Sequence, residues 1–335
     1  MRYSSARGGV VVAVAAAALN LWCARKLPQP KVISCLGLRD LGVGAVTDVC
    51  VQGSIAFSAT RGILAPCNGL SVVDVSNPES PRVVGDCSFH PVNQIDVRGH
   101  YLYATHGGDS SVLVINVHEP AKPECVGGCA PSASPDGICV LDERWVCAVD
   151  DAGVLAMLDV SNPGCPFVTS RLKLHPGATD ICARAPYVYV ANGFSGLQVV
   201  DVSDPYAPVL AGSWTTDEYP CQVCIEGHYA YVALQRGGLG VLDISKPREP
   251  TLVAQYGKSL QGWALCVKGA RAYLGALHNG LHVLDVSVPE RPKLIAFMPV
   301  PRRPTSIFAA GRHVYVADEE YGLTTIEEGS FVNVK

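Results

Sequence analysis

Several side chains in this sequence are of types that bind metal ions, and they lie in segments where turns are expected. Imidazole and carboxylate groups are ligands for Zn²⁺ and Ca²⁺, and three or four of them together could activate a water molecule for hydrolysis. The residues of this kind are His90, His106, His175, His278, Asp48, Asp136, Asp150, Asp180 and Asp318. They are far apart along the chain, so a metal centre needs a fold that gathers distant segments.

Other catalytic patterns are absent from the sequence, which has no Gly-rich phosphate loop, HExxH or GxSxG. Cys221-Gln-Val-Cys224 matches CxxC, but no second CxxC occurs, and in a strand its ends point to opposite faces. We therefore expect a non-enzymatic protein with no metal and no other cofactor. The alternative is a hydrolase or lactonase with a metal ion, and a third class is a redox protein using its cysteines.

A repeat sets the elements that position these residues. The phrase LSVVDVSNPESP at 70–81 returns as LQVVDVSDPYAP at 197–208, LGVLDISKPREP at 239–250 and LHVLDVSVPERP at 281–292. Counting from the acidic or amide residue, successive copies are 42 or 43 residues apart: Asp74, Asn116, Asp159, Asp201, Asp243, Asp285 and then Glu327. Periods of about 40–45 residues with β patterning indicate propeller blades of four strands.

Each copy also contains a hairpin, for example CQVCIEGHYAYVAL at 221–234, which supplies the first two strands of a blade. The LxVVDVS phrase is the third strand, and the run after the second proline is the fourth. The aspartate can accept hydrogen bonds from backbone N–H groups in an Asx-type turn, and the prolines end the strand. Because this requirement recurs in every blade, we assign a structural turn role to Asp74, Asn116, Asp159, Asp201, Asp243 and Asp285.

The two ends of the chain indicate how the ring closes. The seventh copy lacks a fourth strand, and KVISCLG at 31–37 has the pattern of a fourth strand with no blade before it. We predict an all-β, seven-bladed β-propeller with four strands per blade, closed by an N-terminal strand that completes the last blade. It occupies residues 28–329, is monomeric, and is followed by a tail at 330–335.

The two phrases resemble those of the LVIVD-repeat family, whose units carry GLxVIDVSNPxxP and a YAYVA hairpin, over about residues 28–327. Asn116-Val117-His118-Glu119-Pro120 departs from the family's DVSNP, and the third hairpin lacks its glycine. The resemblance implies a β-propeller, and such proteins often lie outside the cytoplasm. It implies no reaction, because a repeat and not a catalytic motif defines the family.

Five of the 14 cysteines follow the register of the repeat. One position of the first strand is cysteine in five blades, at Cys50, Cys139, Cys182, Cys224 and Cys266, with Asp96 and Phe308 in the other two. Packed sheets lie about 10 Å apart, too far for disulfides between equivalent positions, so we expect small packing residues. Cys139 and Cys147 flank one hairpin and could face each other.

One end of the channel is the expected binding surface, by analogy with other propellers. The loops entering the first strands and those joining the second and third strands share this end, and their residues vary from blade to blade. The candidate binding residues are Asp48, Gln94, His106, Asp136, Asp150, His175, Asp180, Gln222, Trp263, His278 and Asp318.

The first 27 residues form an apolar run with basic flanks, as in a signal peptide or N-terminal anchor, with possible membrane attachment through residues 8–22. We expect a secreted or membrane-anchored extracytoplasmic protein; the alternative is an organelle. Residues 1–39 hold six basic and no acidic residues, so the remainder carries 20 Lys and Arg against 30 Asp and Glu. That balance disfavours nucleic acid. We expect an interaction scaffold for a protein or glycan partner.

Overall fold

The structure is a computed structural model that describes residues 32–36, 45–61, 69–88, 91–106, 111–132, 134–299 and 303–328. Over these ranges the chain forms seven four-stranded antiparallel sheets, and their first strands contact one another in a closed cycle. The predicted seven-bladed propeller is therefore confirmed. The leader at 1–27, including the attachment segment 8–22, and the tail at 330–335 lie outside the described residues. A helix long and apolar enough to cross a bilayer is absent from the ranges given above.

Each blade runs outward from the central channel in chain order. The first strands are β2 (Ala45–Gln52), β6 (Val92–Arg98), β10 (Pro135–Val140), β14 (Ala178–Arg184), β18 (Pro220–Glu226), β22 (Gly262–Lys268) and β26 (Pro304–Ala310). The second strands are β3 (Ile55–Arg61), β7 (Tyr101–His106), β11 (Trp145–Asp150), β15 (Tyr187–Asn192), β19 (Tyr229–Leu234), β23 (Arg271–Ala276) and β27 (His313–Asp318). A short 3-10 turn, Gly193–Ser195, follows β15.

The third strands are β4 (Gly69–Asp74), β8 (Ser111–Asn116), β12 (Val154–Asp159), β16 (Gly196–Asp201), β20 (Gly238–Asp243), β24 (Gly280–Asp285) and β28 (Gly322–Glu327). The outer strands are β5 (Arg82–Ser88), β9 (Glu124–Cys129), β13 (Phe167–Lys173), β17 (Val209–Trp214), β21 (Thr251–Tyr256), β25 (Lys293–Met298) and, in the last blade, β1 (Val32–Leu36). β1 pairs antiparallel with β28, so closure by the N-terminal strand is confirmed.

The repeat aspartates lie at the ends of the third strands and bond to the backbone two residues on. Asp74 Oδ1 accepts a hydrogen bond from the Ser76 N–H at 2.8 Å, and this bond lowers the pKa of the carboxyl. Asn116 accepts the same bond from the His118 N–H at 3.0 Å, so the amide replaces the carboxylate without changing the turn. Equivalent bonds are made by Asp159, Asp201, Asp243 and Asp285. These are the contacts of Asx-type turns.

The core is divided into clusters that lie between neighbouring blades. Leu70 of β4 and Ile115 of β8, for example, are buried in one cluster between the first and second blades. Alternate residues of each strand face opposite neighbours, which explains why the third and second strands are buried at nearly every position. Each blade is thus packed against a neighbouring blade on both of its faces.

Candidate functional site

A β-bulge near the start of the first strand shapes the channel mouth. In the first blade Val46 pairs with Thr60 and Asp48 pairs with Ala59, which leaves Thr47 as the extra residue. The register shifts at the same place in each of the other described first strands. A bulge leaves one residue unpaired and re-aims its side chain. The residues at this bulge position are Thr47, Asn93, Asp136, Thr179, Cys221, Trp263 and Thr305.

A solvent-open cavity of about 410 Å³ occupies the channel mouth, and every bulge residue just named lines it. The next residue of the strand adds Asp48, Gln94, Asp180 and Gln222 to the lining. The same end of the channel adds Arg61, the last residue of β3, and the loop residues Asp151, Tyr219 and Glu319. The cavity therefore combines one position per blade with a few loop side chains, and its chemistry varies around the ring.

The side of the cavity near the first three blades is polar and charged. Arg61 Nη2 donates to Asn93 Oδ1, and Asn93 Nδ2 donates to Asp136 Oδ1 at 3.1 Å. Burial raises the pKa of Asp136, with smaller increases from the charges of Asp151 and Asp150, against the hydrogen bond from the Asp151 backbone and the attraction of Arg61. These groups form a string of donors and acceptors along the wall.

The side near the fifth and sixth blades is aromatic. Trp263 is 36% exposed, a large fraction for an indole ring in a cavity wall. Tyr219 lies in the loop before β18 and also lines the cavity, and burial raises the pKa of its phenol. In a ring of seven, these blades stand across the channel from the second and third, so aromatic and polar walls face each other.

Below the bulge, side chains of one blade accept hydrogen bonds from the backbone of the next. Asp48 Oδ2 accepts from the Ile95 N–H at 2.8 Å, and Asp180 Oδ2 accepts from the Val223 N–H at 2.8 Å. Gln94 and Gln222 do the same for the third and sixth blades. First strands of neighbouring blades are not paired in one sheet, so these side chains satisfy backbone donors that a ladder would otherwise satisfy.

In the third blade the residue equivalent to Asp48 is Gly137, and its lack of a side chain leaves room for a hydrogen bond between the second and fourth blades. Gln94 Nε2 reaches past it to donate to Asp180 Oδ1 in the fourth blade. A Cβ atom on Gly137 would lie 2.9 Å from Val149 Cγ1 and 3.4 Å from Gln94 Oε1, so a side chain would compete with Gln94 for this space. The bond links blades that are not neighbours and fixes Gln94 in the cavity floor.

The carboxyl groups of this floor have raised pKa values. Asp48 is 7% exposed, and burial raises its pKa to about 7, against the hydrogen bonds from Ile95, Ser306 and Val49; the charge of Asp180 adds to the increase. Burial likewise raises the pKa of Asp180 to about 6. No positively charged side chain is among the causes that act on the pKa of Asp48 or of Asp180. The floor therefore exchanges protons near neutral pH.

Two residues deeper lies the cysteine position, which makes the same kind of contact. Asp96 Oδ2 accepts from the Val140 N–H of the next blade at 2.8 Å, and burial raises its pKa to about 6. The sulfurs of Cys182, Cys224 and Cys266 accept the equivalent N–H of the blade that follows. The thiols in these positions are free. They are packing residues, as expected, but they are also weak acceptors that join blades.

The structure brings together six of the eleven candidate binding residues in the cavity lining: Asp48, Gln94, Asp136, Asp180, Gln222 and Trp263. Asp150 and Asp318 are buried at the ends of second strands, where they accept loop N–H groups such as that of Val154 or Glu320. His106 is buried at the equivalent place. His175 and His278 are exposed in loops outside the lining, and His90 lies outside the described residues.

Sequence reasoning did not select Arg61, Asn93 or Cys221, which also line the cavity. Asn93 and Cys221 could have been found from the repeat register, because each lies one residue before the position equivalent to Asp48 in its blade. Arg61 is the last residue of β3, at a position that no repeat phrase marks. Among the residues with described positions, no group of three or more His, Cys, Asp or Glu is arranged to hold a metal ion.

The fold and the cavity at its channel mouth define a seven-bladed β-propeller. A crystal structure of the computationally designed protein Ika8 is similar: it is 11% identical, with a TM-score of 0.64, over 89% of this chain and 99% of that chain. At that identity the similarity concerns the fold alone. The sequence matches no curated protein.

The profile described as LVIVD repeat matches residues 43–88, 177–216, 219–257 and 261–297. The chain is therefore an LVIVD-repeat β-propeller, and the resemblance seen in its phrases is confirmed. Residues 111–132 and 134–173, which the profile does not match, still form the third and outer strands of the second blade and the whole third blade. The departures at Asn116–Pro120 leave the architecture unchanged.

Proposed function

We propose that this LVIVD-repeat propeller is a non-enzymatic interaction scaffold whose channel-mouth cavity binds a glycan. The observation that carries the proposal is the opposition of two walls: the exposed ring of Trp263 on one side and the string Arg61, Asn93 and Asp136 on the other. A protein partner, the other class expected from the sequence, is an outcome of the test below.

The chemistry of a sugar suits these walls. A pyranose ring has an apolar C–H face that packs on an aromatic ring, and hydroxyl groups that both donate and accept. Trp263 and Tyr219 offer aromatic surface, while Asp136, Asn93 and Arg61 offer acceptors and donors in one row. A cavity of about 410 Å³ is within the range of small-ligand sites and is open enough for one or two sugar units.

Binding assays with the full chain test this proposal. The protein is screened against an array of oligosaccharides, and a hit is measured by titration calorimetry. Trp263→Ala should weaken binding at least 10-fold, because an aromatic platform contributes more than about 1.4 kcal/mol at such sites. Asp136→Asn should weaken it less, about 5-fold, since an amide oxygen still accepts.

A matched control separates the site from general loss of aromatic surface. Phe167 is 53% exposed on the outer strand β13, far from the channel, so Phe167→Ala should leave affinity unchanged. Two results would contradict the glycan proposal. One is glycan binding that is unchanged in Trp263→Ala; the other is an array without any hit, together with capture of a protein partner whose binding depends on Trp263.

The same preparation tests the enzyme alternative, a hydrolase or lactonase with a metal ion at the channel mouth. Elemental analysis and thermal melting in calcium, zinc and EDTA are the measurements. Stoichiometric metal together with a lower Tm in EDTA would favour the enzyme over the binding scaffold. An extracytoplasmic or membrane-anchored location is part of the proposal, supported by residues 1–27 alone. Fractionation of cells with N-terminal sequencing of the mature protein tests it.

A further inference from the structure

Two cysteines on the outer strands of the first and second blades face the same interface. Cys87 of β5 is paired opposite Leu70 of β4, and Cys125 of β9 is paired opposite Ile115 of β8. Leu70 and Ile115 are buried in one cluster between these two blades. Residues directly opposite on neighbouring strands share a face, so both cysteine side chains point toward that interface.

The two residues are neighbours across this interface. Burial raises the pKa of the Cys87 thiol, the Cys125 thiol adds to the increase, and the Cys125 N–H opposes it. Cys87 is half-buried and packs against the cluster, whereas Cys125 is exposed. Both thiols are free in the structure. One thiol is therefore open to a reagent in solvent, and the other is held beside it.

The contact is a regular feature of how these blades pack. Cys87 is opposite the second residue of the third strand in its blade, and Cys125 is opposite the fifth residue of the third strand in the next blade. In four other interfaces the residues with these two pairings face each other in the same way. They are Cys129 with Val168, Leu172 with Leu210, Trp214 with Leu252, and Tyr256 with Leu294. Blade packing thus places these positions side by side whatever their identity, and among these described pairs the interface of the first two blades carries cysteine at both.

We infer that Cys87 and Cys125 form a disulfide that joins the first blade to the second at the outer rim. The oxidant is a disulfide, RSSR, of the small-molecule or protein class found in oxidising compartments. The Cys125 thiolate attacks one sulfur of RSSR and releases RS⁻, which takes up a proton to become RSH. The Cys87 thiolate then attacks the Cys125 sulfur, forms the new S–S bond and releases a second RSH. The two thiol protons end on the two RSH molecules.

A second pair of cysteines provides an internal comparison. Cys139 and Cys147 are directly opposite in β10 and β11, but they are 5% and 0% exposed. A disulfide reagent has no path to either sulfur in the folded protein. The folded chain should therefore oxidise at the rim and remain reduced at this buried pair.

Oxidation of the purified full chain tests the inference. The reduced protein is incubated with oxidised glutathione, remaining thiols are alkylated under denaturing conditions, and the bonded cysteines are mapped by mass spectrometry with two proteases. The expected product is a Cys87–Cys125 cross-link with Cys139 and Cys147 alkylated. The cross-link should raise Tm by several degrees, because it restricts the unfolded chain between these residues, and dithiothreitol should reverse the increase.

Three variants make the result specific. Cys87→Ser and Cys125→Ser should each abolish both the cross-link and the increase in Tm. Cys129→Ser is the matched control, because Cys129 lies on the same strand but opposite Val112, which faces the third blade; it should behave as wild type. Separate glutathione adducts on Cys87 and Cys125, alkylation of both, or a cross-link from either to another cysteine would overturn the inference.

Discussion

Asp48 should make the stability of the propeller depend on pH near neutrality. Its carboxyl is buried in the channel floor and its pKa is about 7, whereas an aspartate in an unfolded chain has a pKa of about 3.9. A group whose pKa is raised by folding contributes its stability fully below the unfolded pKa and loses it as pH rises through the folded pKa. The native protein should thus become less stable between pH 5 and pH 8.

The magnitude follows from the two pKa values. Over this window the folded state holds up to one proton more than the unfolded state at this site, so the free energy of unfolding falls by about 2.5 kcal/mol. For a domain of this length, that loss lowers Tm by about 4 °C. Asp96 and Asp180, each with a raised pKa of about 6, act in the same direction.

The variant Asp48→Asn isolates the effect of this one group. Asp48 uses both oxygens, Oδ1 for the Val49 N–H and Oδ2 for the Ile95 N–H, and an amide has only one acceptor oxygen. The variant should be about 1–3 kcal/mol less stable than wild type at pH 5, the cost of an unsatisfied buried donor. Because the amide does not titrate, this deficit should shrink by about 2.5 kcal/mol at pH 8.

Urea denaturation at pH 5, 6, 7 and 8 measures both proteins, with Asp201→Asn as the control. The pKa of Asp201 is lowered by hydrogen bonds from the Ser203 side chain and backbone, so its titration lies below this window. The deficit of the control variant should be the same at every pH. A deficit of Asp48→Asn that stays constant, or grows toward pH 8, would refute the assignment of a raised pKa to the buried carboxyl.

Two further predictions concern closure and backbone geometry. Replacing residues 32–36 with a Gly-Ser linker should expose the edge of β28 and remove cooperative melting followed by calorimetry; an unchanged melting profile would show that β1 does not close the ring. Gly196→Ala should cost more than about 2 kcal/mol in urea denaturation, because φ is +82° and a Cβ would lie within 1.9 Å of the Trp214 carbonyl oxygen. Gly227→Ala, at a φ of +57° with no atom within 4 Å, should cost only about 1 kcal/mol, and equal costs at the two sites would exclude the steric explanation.

The fold could be predicted from the sequence because two phrases, the hairpin and DVSxPxxP, recur along the chain at a fixed interval. The DVSxPxxP phrase fixes where the third strand ends, through a side chain bonding its own backbone, as Asp74 does with Ser76. The period then fixes the number of blades, and KVISCLG at 31–37 was recognisable as a fourth strand without a partner. All of these signals are local in sequence or repeat at a fixed interval, so they need no knowledge of long-range contacts.

The cavity was less predictable because it depends on a bulge. Simple alternation along a strand would place Thr47 and Asp48 on opposite faces, yet both line the channel mouth. No single residue type marks the bulge in the sequence, since its position holds Thr, Asn, Asp, Cys or Trp in different blades. Conversely, Asp318 was expected in a loop that binds a ligand, but it is the buried last residue of β27, and its oxygens accept the N–H groups of Arg303, Glu320 and Tyr321.

The bulge position also divides the blades by role. Thr47, Thr179 and Thr305 donate their hydroxyls to a backbone carbonyl of the next blade, at 2.8, 3.0 and 2.8 Å, so in those blades the side chain serves the ring. The other four blades carry residues that cannot copy this bond with the same geometry: Asn93, Asp136, Cys221 and Trp263. These four line the cavity, and Asn93, Asp136 and Trp263 belong to its polar and aromatic walls. At the bulge position, selectivity should therefore depend on the second, third, fifth and sixth blades, while exchanging Thr47, Thr179 or Thr305 for serine, which keeps the hydroxyl, should have little effect on the ligand.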